Sequence, residues 1–440
     1  MKSTKRFILF TSLITLLALA PLTLGGILLP ACYQDTFMGE LSFKIKRLRE
    51  APCPRIIVIG GSGMAFALDS ALLEESFPGY APVNMGMYAD LGTAFLLDLT
   101  EDELGKGDLV IIAPEEDPQT LSLYFGARSA LQGMDGAWSL LTRVPRRDLG
   151  TLMGALPAFS LEKWRYVLSG EVPRGEGIYK RSSFNEYGDI DSDLADRNRM
   201  PGYYDSSRPV SFDPDMLEED FTDRLNRYAD TAGKKGARVF WYFCPVDRLA
   251  PGDPSFTPED LYEALYERLD FPILGDPENA LLDEAWFYDT NFHLNRRGRT
   301  LYTRQFVRDL KAQLGITTAT DIPLPQAPPL PVSGGFVLTA DQYAGRKDLE
   351  EITLPRDTVY IEDYAFQGCT GLKRIILPVR EPSRVLIGDH LLEGTGALIY
   401  VPEGTLSAYR TDYRFSRYAD RIREQQADSA QDGKRTDRKN

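Results

Sequence analysis

Histidine is the scarcest chemistry-bearing residue in this 440-residue chain, with only His293 and His390. Any reaction that needs an imidazole base has two places to find one. Cysteine is nearly as sparse: Cys32, Cys53, Cys244 and Cys369 show no metal-ligand spacing and no dense disulfide framework. In a Rossmann-like sheet Cys53 precedes the first strand and Cys244 ends a later one. These are opposite strand ends, beyond the roughly 7 Å between Cα atoms that a bridge tolerates. The four are expected as isolated thiols. Basic charge is also short. Lys and Arg number 50 against 64 Asp and Glu, leaving −14; nucleic-acid binding needs clustered positive charge, so that partner class is excluded. Apolar material is plentiful: 43% hydrophobic residues, with 22 Tyr and 22 Phe, suffice to build a core.

Long hydrophobic runs are confined to the N-terminus. Lys2, Lys5 and Arg6 precede 23 uncharged residues, Phe7 to Leu29. As a helix rising about 1.5 Å per residue, that stretch spans the roughly 30 Å hydrocarbon layer. It exceeds the usual signal-peptide core, and Pro21 is a poor context for cleavage after Ala18 and Ala20. An uncleaved transmembrane anchor over 1–30 is expected, with the N-terminus cytoplasmic and the bulk of the chain extracytoplasmic at the cell membrane. Cys32 in "LPAC" also resembles a lipoprotein box, with an unusual Pro30.

From residue 55 apolar runs alternate with helical patterns. "RIIVIG" (55–60), "APVNMG" (81–86), "DLVIIAP" (108–114) and "ARVFWYFCP" (237–245) read as buried strands. Helices are expected over 64–76 and near 91–104, after Thr257-Pro258-Glu259, and over 295–314. The fold class is α/β: a doubly wound parallel sheet covered on both faces, over residues 31–320. The segment 135–235, rich in Tyr, Arg, Asp and Ser, breaks the rhythm and reads as an insertion of loops over the strand ends. Five prolines between 323 and 331 mark a stiff linker within 321–335. Beyond it "LEEITLP" (349–355) recurs as "LKRIILP" (372–378) and loosely as "ALIYVP" (397–402). The charged end, 424–440, is expected to be disordered.

The chemistry concentrates at "GGSG" (60–63), where the first strand turns into a helix. The glycines partly match a dinucleotide loop. That loop, however, needs an acid at the end of the second strand, and this strand ends in Val83-Asn84. A serine at a strand-to-helix turn can instead be a nucleophile, with backbone N–H groups nearby to hold an oxyanion. It then requires a base. His390 lies beyond the proline linker and reads as a surface residue. His293 precedes the last helix of the sheet domain, in a loop that returns to the C-terminal strand ends, and Asp289 lies four positions upstream. Ser62, His293 and Asp289 are the parts of an acyl-transfer triad. The bland alternative is that Ser62 only caps its helix.

Residues 53–315 resemble the SGNH (GDSL-like) hydrolase and acyltransferase superfamily, in its membrane-anchored bacterial branch, similar to proteins of teichoic-acid D-alanylation and alginate acetylation. "IGGSGMAFALDS" is similar to the first block, "VNMGMYADLG" to the second and "DTNFHLN" to the last. The resemblance implies Ser62 as nucleophile, His293 as base, Asp289 as orienting acid, and the Ser62 and Gly86 N–H groups as oxyanion donors. Three departures stand out: Gly61 replaces the usual Asp, the acid-to-histidine spacing is four rather than three, and the third block ends in "APEED" where an Asn is usual. Asn185, in "SFNEYGD", is a candidate substitute, and Glu115 and Glu116 occupy the strand end, where the expectation is that they hydrogen-bond a substrate, Glu115 foremost, or are only solvated. Residues 336–423 resemble BspA-like bacterial leucine-rich repeats. The implied activity is serine-dependent esterase or acyl transfer on a cell-envelope polysaccharide or teichoic acid, through chemistry that calls on no metal or cofactor. The repeats offer a protein-binding face. The competing expectation is a non-catalytic, membrane-anchored binding protein on a degenerate scaffold of the same kind.

Overall fold

The apolar runs pair as one parallel sheet because, apart from the exposed Arg238 that opens the last of them, every residue in them is buried. In the computed structural model these strands are β1 (Arg55–Gly60), β2 (Ala81–Asn84), β3 (Leu109–Ala113) and β4 (Arg238–Trp241), in the order β2-β1-β3-β4. Ile57 pairs with Val83 on one side and Val110 on the other, and Ile111 pairs with Phe240. Side chains alternate strictly. Ile57, Ile59, Val110 and Ile112 enter one core; Ile56, Val58, Leu109 and Ile111 enter the other. Across the first core lie α1 (Glu40–Glu50), α4 (Thr93–Thr100) and α7 (Glu219–Lys234). Across the second lie α2 (Ser62–Ala67), α3 (Ser70–Ser76) and α9 (Arg296–Leu314). The structure describes residues 10–11, 24–191, 197–200, 203–327, 335–362, 364–388, 391–412 and 415–425.

Two of the expected elements differ. The helix expected over 64–76 is two helices, because the Asp69 side chain accepts the Leu72 N–H and starts α3 afresh. The segment 135–235 is not all loop. After α5 (Ala127–Gly133) it holds α6 (Leu149–Ser169), the longest helix described, and α7, which leads directly into β4. Thr257 and Asp260 form a reciprocal capping box ahead of α8 (Pro258–Arg268), and Asn295 caps α9 by accepting the Gly298 N–H.

The chain divides at its proline-rich stretch into Met1–Pro328 and Pro329–Asn440. A short parallel pair, β5 (Val246–Asp247) and β6 (Leu281–Leu282), completes the described strands of the first unit. In the second unit, β8 (Glu351–Thr353), β10 (Arg374–Ile376), β12 (Leu398–Val401) and β13 (Ile422–Glu424) stack in parallel. A shorter parallel sheet holds β7 (Phe336–Leu338), β9 (Thr358–Ile361) and β11 (Leu386–Ile387). Ile352, Ile375, Ile399 and Ile422 align into one buried ladder. The fourth rung, "IRE", was not anticipated, and its Glu424 falls where the disordered tail was expected to begin.

Most of the expected membrane span and tail, and His390, lie outside the described residues. Among the described residues no helix is long and apolar enough to cross a membrane. All four cysteines are free. The Cys32 side chain is buried and its N–H donates to Asp135 Oδ2.

Candidate active site

Glycine at 60, 61 and 63 is demanded by close approach. A Cβ at Gly60 would lie 2.2 Å from the Ala113 carbonyl oxygen, one at Gly61 2.6 Å from a Glu115 carboxyl oxygen, and one at Gly63 2.5 Å from the Cys244 sulfur. The turn therefore presses against the ends of β3 and β4 and presents Ser62 at the C-terminal edge of the sheet. Gly61 stands at the helix N-cap, with no side chain to offer, and Ser62 is the first helical residue. Its hydroxyl does not cap the helix. It faces His293 instead.

Ser62 Oγ lies 2.8 Å from His293 Nε2, across 231 positions of sequence. His293 Nδ1 lies 2.9 Å from Asp289 Oδ1, so the four-residue spacing is no obstacle. Tyr179 donates its hydroxyl to Asp289 Oδ2 at 2.6 Å, and its oxygen is 3.1 Å from Nδ1. With two acceptors around it, Nδ1 carries the imidazole proton and leaves Nε2 free to accept from Ser62. The ring is further held by Phe66, stacked on it at 4.0 Å and 3°. Ser62 and His293 are buried, and the Asp289 carboxylate is partly open to solvent. Burial, reinforced by Asp289, raises the Tyr179 phenol well above its ordinary range, so it stays a donor.

Glu115 completes the cluster in an unforeseen way. Its Oε1 accepts the Gly63 N–H at 2.7 Å and lies 3.2 Å from Ser62 Oγ. The carboxyl fills the space a phosphate or an oxyanion would occupy, so the glycine loop is not a vacant phosphate cradle. Burial raises its pKa above the usual carboxylate range, against the lowering effect of the Gly63 N–H and of His293. Burial does the same, more strongly, to Glu116 beside it.

Two expected oxyanion donors are elsewhere engaged. The Gly86 N–H donates to Asn84 Oδ1 at 2.8 Å, within a buried network in which the Asn84 amide reaches the Met64 carbonyl and Asp189. A Cβ at Gly86 would lie 2.6 Å from the Ala65 nitrogen, so this glycine serves packing against α2. Asn185 donates its amide N–H to Asp189 Oδ2 at 3.4 Å, accepts the N–H groups of Tyr187 and Asp189 on its side-chain oxygen to close a turn, and lines a separate depression with Lys44 and Arg181.

The cluster opens into a cavity of about 950 Å³. Tyr88, Asp90, Asp117, Asp205 and Arg208 contribute to its walls. Asn291 pins the 205–208 loop there through the Asp205 N–H and the Asp205 and Arg208 carbonyls, at 2.7–3.0 Å. Tyr179 and Phe66 were missed from sequence because no motif links them to His293; aromatic richness in 135–235 was the only signal for Tyr179. Among the described residues no group of three or more His, Cys, Asp or Glu is arranged to hold a metal ion. No protein-family model matches the chain, and no curated protein matches it.

Proposed function

We propose that the α/β unit is a serine-dependent acyl-transfer or ester-hydrolysing centre of the kind the SGNH resemblance implies. It would act on acyl groups of a cell-envelope polysaccharide or teichoic acid. The observation that carries this reading is the hydrogen-bonded chain Ser62–His293–Asp289, joined at 2.8 and 2.9 Å from residues far apart in sequence. In the reaction the Ser62 hydroxyl oxygen attacks the acyl carbonyl while Nε2 of His293 takes its proton. The imidazolium so formed is held by Asp289, itself fixed by Tyr179. His293 then returns the proton to the departing alcohol, leaving an acyl-serine. Water or a sugar hydroxyl, deprotonated by His293, attacks that acyl group and regenerates Ser62. The Gly63 N–H becomes available to the oxyanion once the Glu115 carboxyl releases it.

The cavity supports a glycan-sized ligand. Tyr88, nearly half exposed, offers an aromatic face for a sugar ring. The carboxylates of Asp117 and Asp205 outweigh Arg208 and favour a neutral or amine-bearing unit over bare polyphosphate. The 23-residue N-terminal stretch would anchor the chain in the cell membrane with the catalytic unit outside, and the repeats would bind a protein partner. One observation favours the non-catalytic reading: an ionised Glu115 would occupy the oxyanion donor permanently. The test is hydrolysis of p-nitrophenyl acetate by the purified chain, with acetylated and D-alanylated envelope glycans as competing substrates. Turnover lost in Ser62→Ala supports the enzyme. A rate equal to that of Ser62→Ala supports the binding protein.

A further inference from the structure

Helix α6 is apolar on the face it should show to water. Its inner face buries Leu152, Leu156 and Phe159 in the core. On the outer side Leu149, Met153, Leu161 and Leu168 are 40, 56, 55 and 79% exposed, at successive helical spacings of four, eight and seven. No charged residue occurs from Leu149 to Leu161. A helix at a protein–water boundary carries charge on its outer face, and one that is apolar all round is covered by something.

What covers it is indicated by the segment bound beside it. Gly26 donates its N–H to Ser160 Oγ of α6 at 2.8 Å. Lys163, fully buried, donates to the Gly26 and Leu29 carbonyls and to Asp135. Asp135 in turn accepts the Cys32 and Tyr33 N–H groups. Gly25 and Gly26 permit this approach, since a Cβ on either would meet Trp164 or Ser160 at 2.5–2.7 Å. The C-terminal end of the uncharged Phe7–Leu29 stretch is thus locked to α6 by a buried charge network. Leu24 and Leu28, on that end, are themselves 51 and 76% exposed. Where this stretch enters a bilayer, α6 lies at the point of entry. The ends of α6 suit that place: exposed Arg146 just before it and Arg165 near its C-terminus can reach headgroups, and Trp164 offers an amphipathic ring.

We propose that α6 lies on the membrane surface, its Leu149–Met153–Leu161–Leu168 face in the headgroup–acyl boundary, as a second attachment beside the N-terminal anchor. Two attachments fix the orientation of the α/β unit on the membrane, which a single span leaves free to swivel. The inference uses the proposed anchor only to place the bilayer, and one experiment reads the two separately. The full chain is reconstituted in phosphatidylcholine–phosphatidylglycerol vesicles containing a phospholipid with a diazirine near the top of its acyl chain. After irradiation, lipid adducts are mapped by peptide mass spectrometry. Adducts in both 7–29 and 149–169 are expected. In a Met153→Glu/Leu161→Glu variant, whose changes are at exposed positions, the 149–169 adducts should fall at least fivefold while those in 7–29 persist. Adducts in 149–169 without any in 7–29 would retain α6 and remove the anchor. Adducts in 7–29 alone would overturn the α6 proposal and leave the anchor. Adducts in neither segment, or crosslinks from α6 to a second copy of the chain, would overturn it as well.

Discussion

The α/β unit and the repeat unit are both built from short parallel strands, yet their interiors differ in kind. The first buries Ser62, Asn84, Glu115, Asp189 and His293 among its apolar residues, each tied to a partner on another element. In the second, the buried polar residues among those described are Thr358 and Thr405. Each donates its hydroxyl to the carbonyl three residues back, at Pro355 and Pro402, at 2.6 Å. A repeated rung offers every side chain the same neighbours, so it stacks well and has no unique place for a reactive group. A wound sheet brings distant loops to one edge, and chemistry collects there.

The largest effect that separates the units is expected from His293→Ala. Loss of the base should lower acyl-ester turnover by about 10³-fold or more, while the repeat unit's unfolding transition stays in place. An unchanged rate would make the triad geometry incidental. The reverse experiment is Ile375→Ala in the buried ladder. It should cost the repeat unit about 2–5 kcal/mol, read as a lowered Tm for that transition, and leave turnover unaltered. A parallel loss of activity would show that the units are not independent.

Tyr179→Phe sharpens the account within the first unit. Removing one hydrogen bond to a charged carboxylate is worth about 1.5–3 kcal/mol, so a fall of roughly ten- to a hundred-fold in kcat with KM little changed is expected. A change in KM alone would place Tyr179 in substrate binding. The smallest effect is expected from Glu115→Gln. Because burial raises the Glu115 pKa, its neutral form is favoured in the folded state. The associated stability is present below the ordinary carboxylate range and is lost as pH climbs through the raised value. Ionisation also strengthens the hold on the Gly63 N–H. Wild type should therefore lose both Tm and kcat/KM as pH rises through that window, and Glu115→Gln should flatten both slopes. Identical pH profiles would show that Glu115 does not titrate in the working range.

Much of this arrangement was legible in the sequence for simple reasons. β3, and β1 from Ile56 onward, are uninterrupted apolar runs, and such runs in an α/β chain belong to a sheet covered on both faces. With two histidines, one beyond a proline linker, the partner of Ser62 was nearly determined by elimination. Other features were hidden by the same physics. Helix α6 carries no helical signature in the sequence because it is apolar on its outer face too, which erases the periodic contrast that marks a helix. Tyr179 and Glu115 act on residues 110 and 53 positions away, a relation no local pattern encodes. Gly86 and Asn185 were expected to donate to an oxyanion, but residue type does not show that Asn84 and a tight turn already use them. The fourth rung did leave a trace: "PRDT" and "PEGT" repeat the same Pro-to-Thr turn, and the spacing from the second turn to its next strand points to Ile422.

The central claim is that Ser62 is an activated nucleophile, and labelling of the purified chain by a fluorophosphonate tests it most directly. The account predicts one adduct per chain, located by mass spectrometry on Ser62, absent in Ser62→Ala and strongly slowed in His293→Ala. A chain that takes up no label, or carries it on another residue with Ser62 unmodified, would contradict the claim.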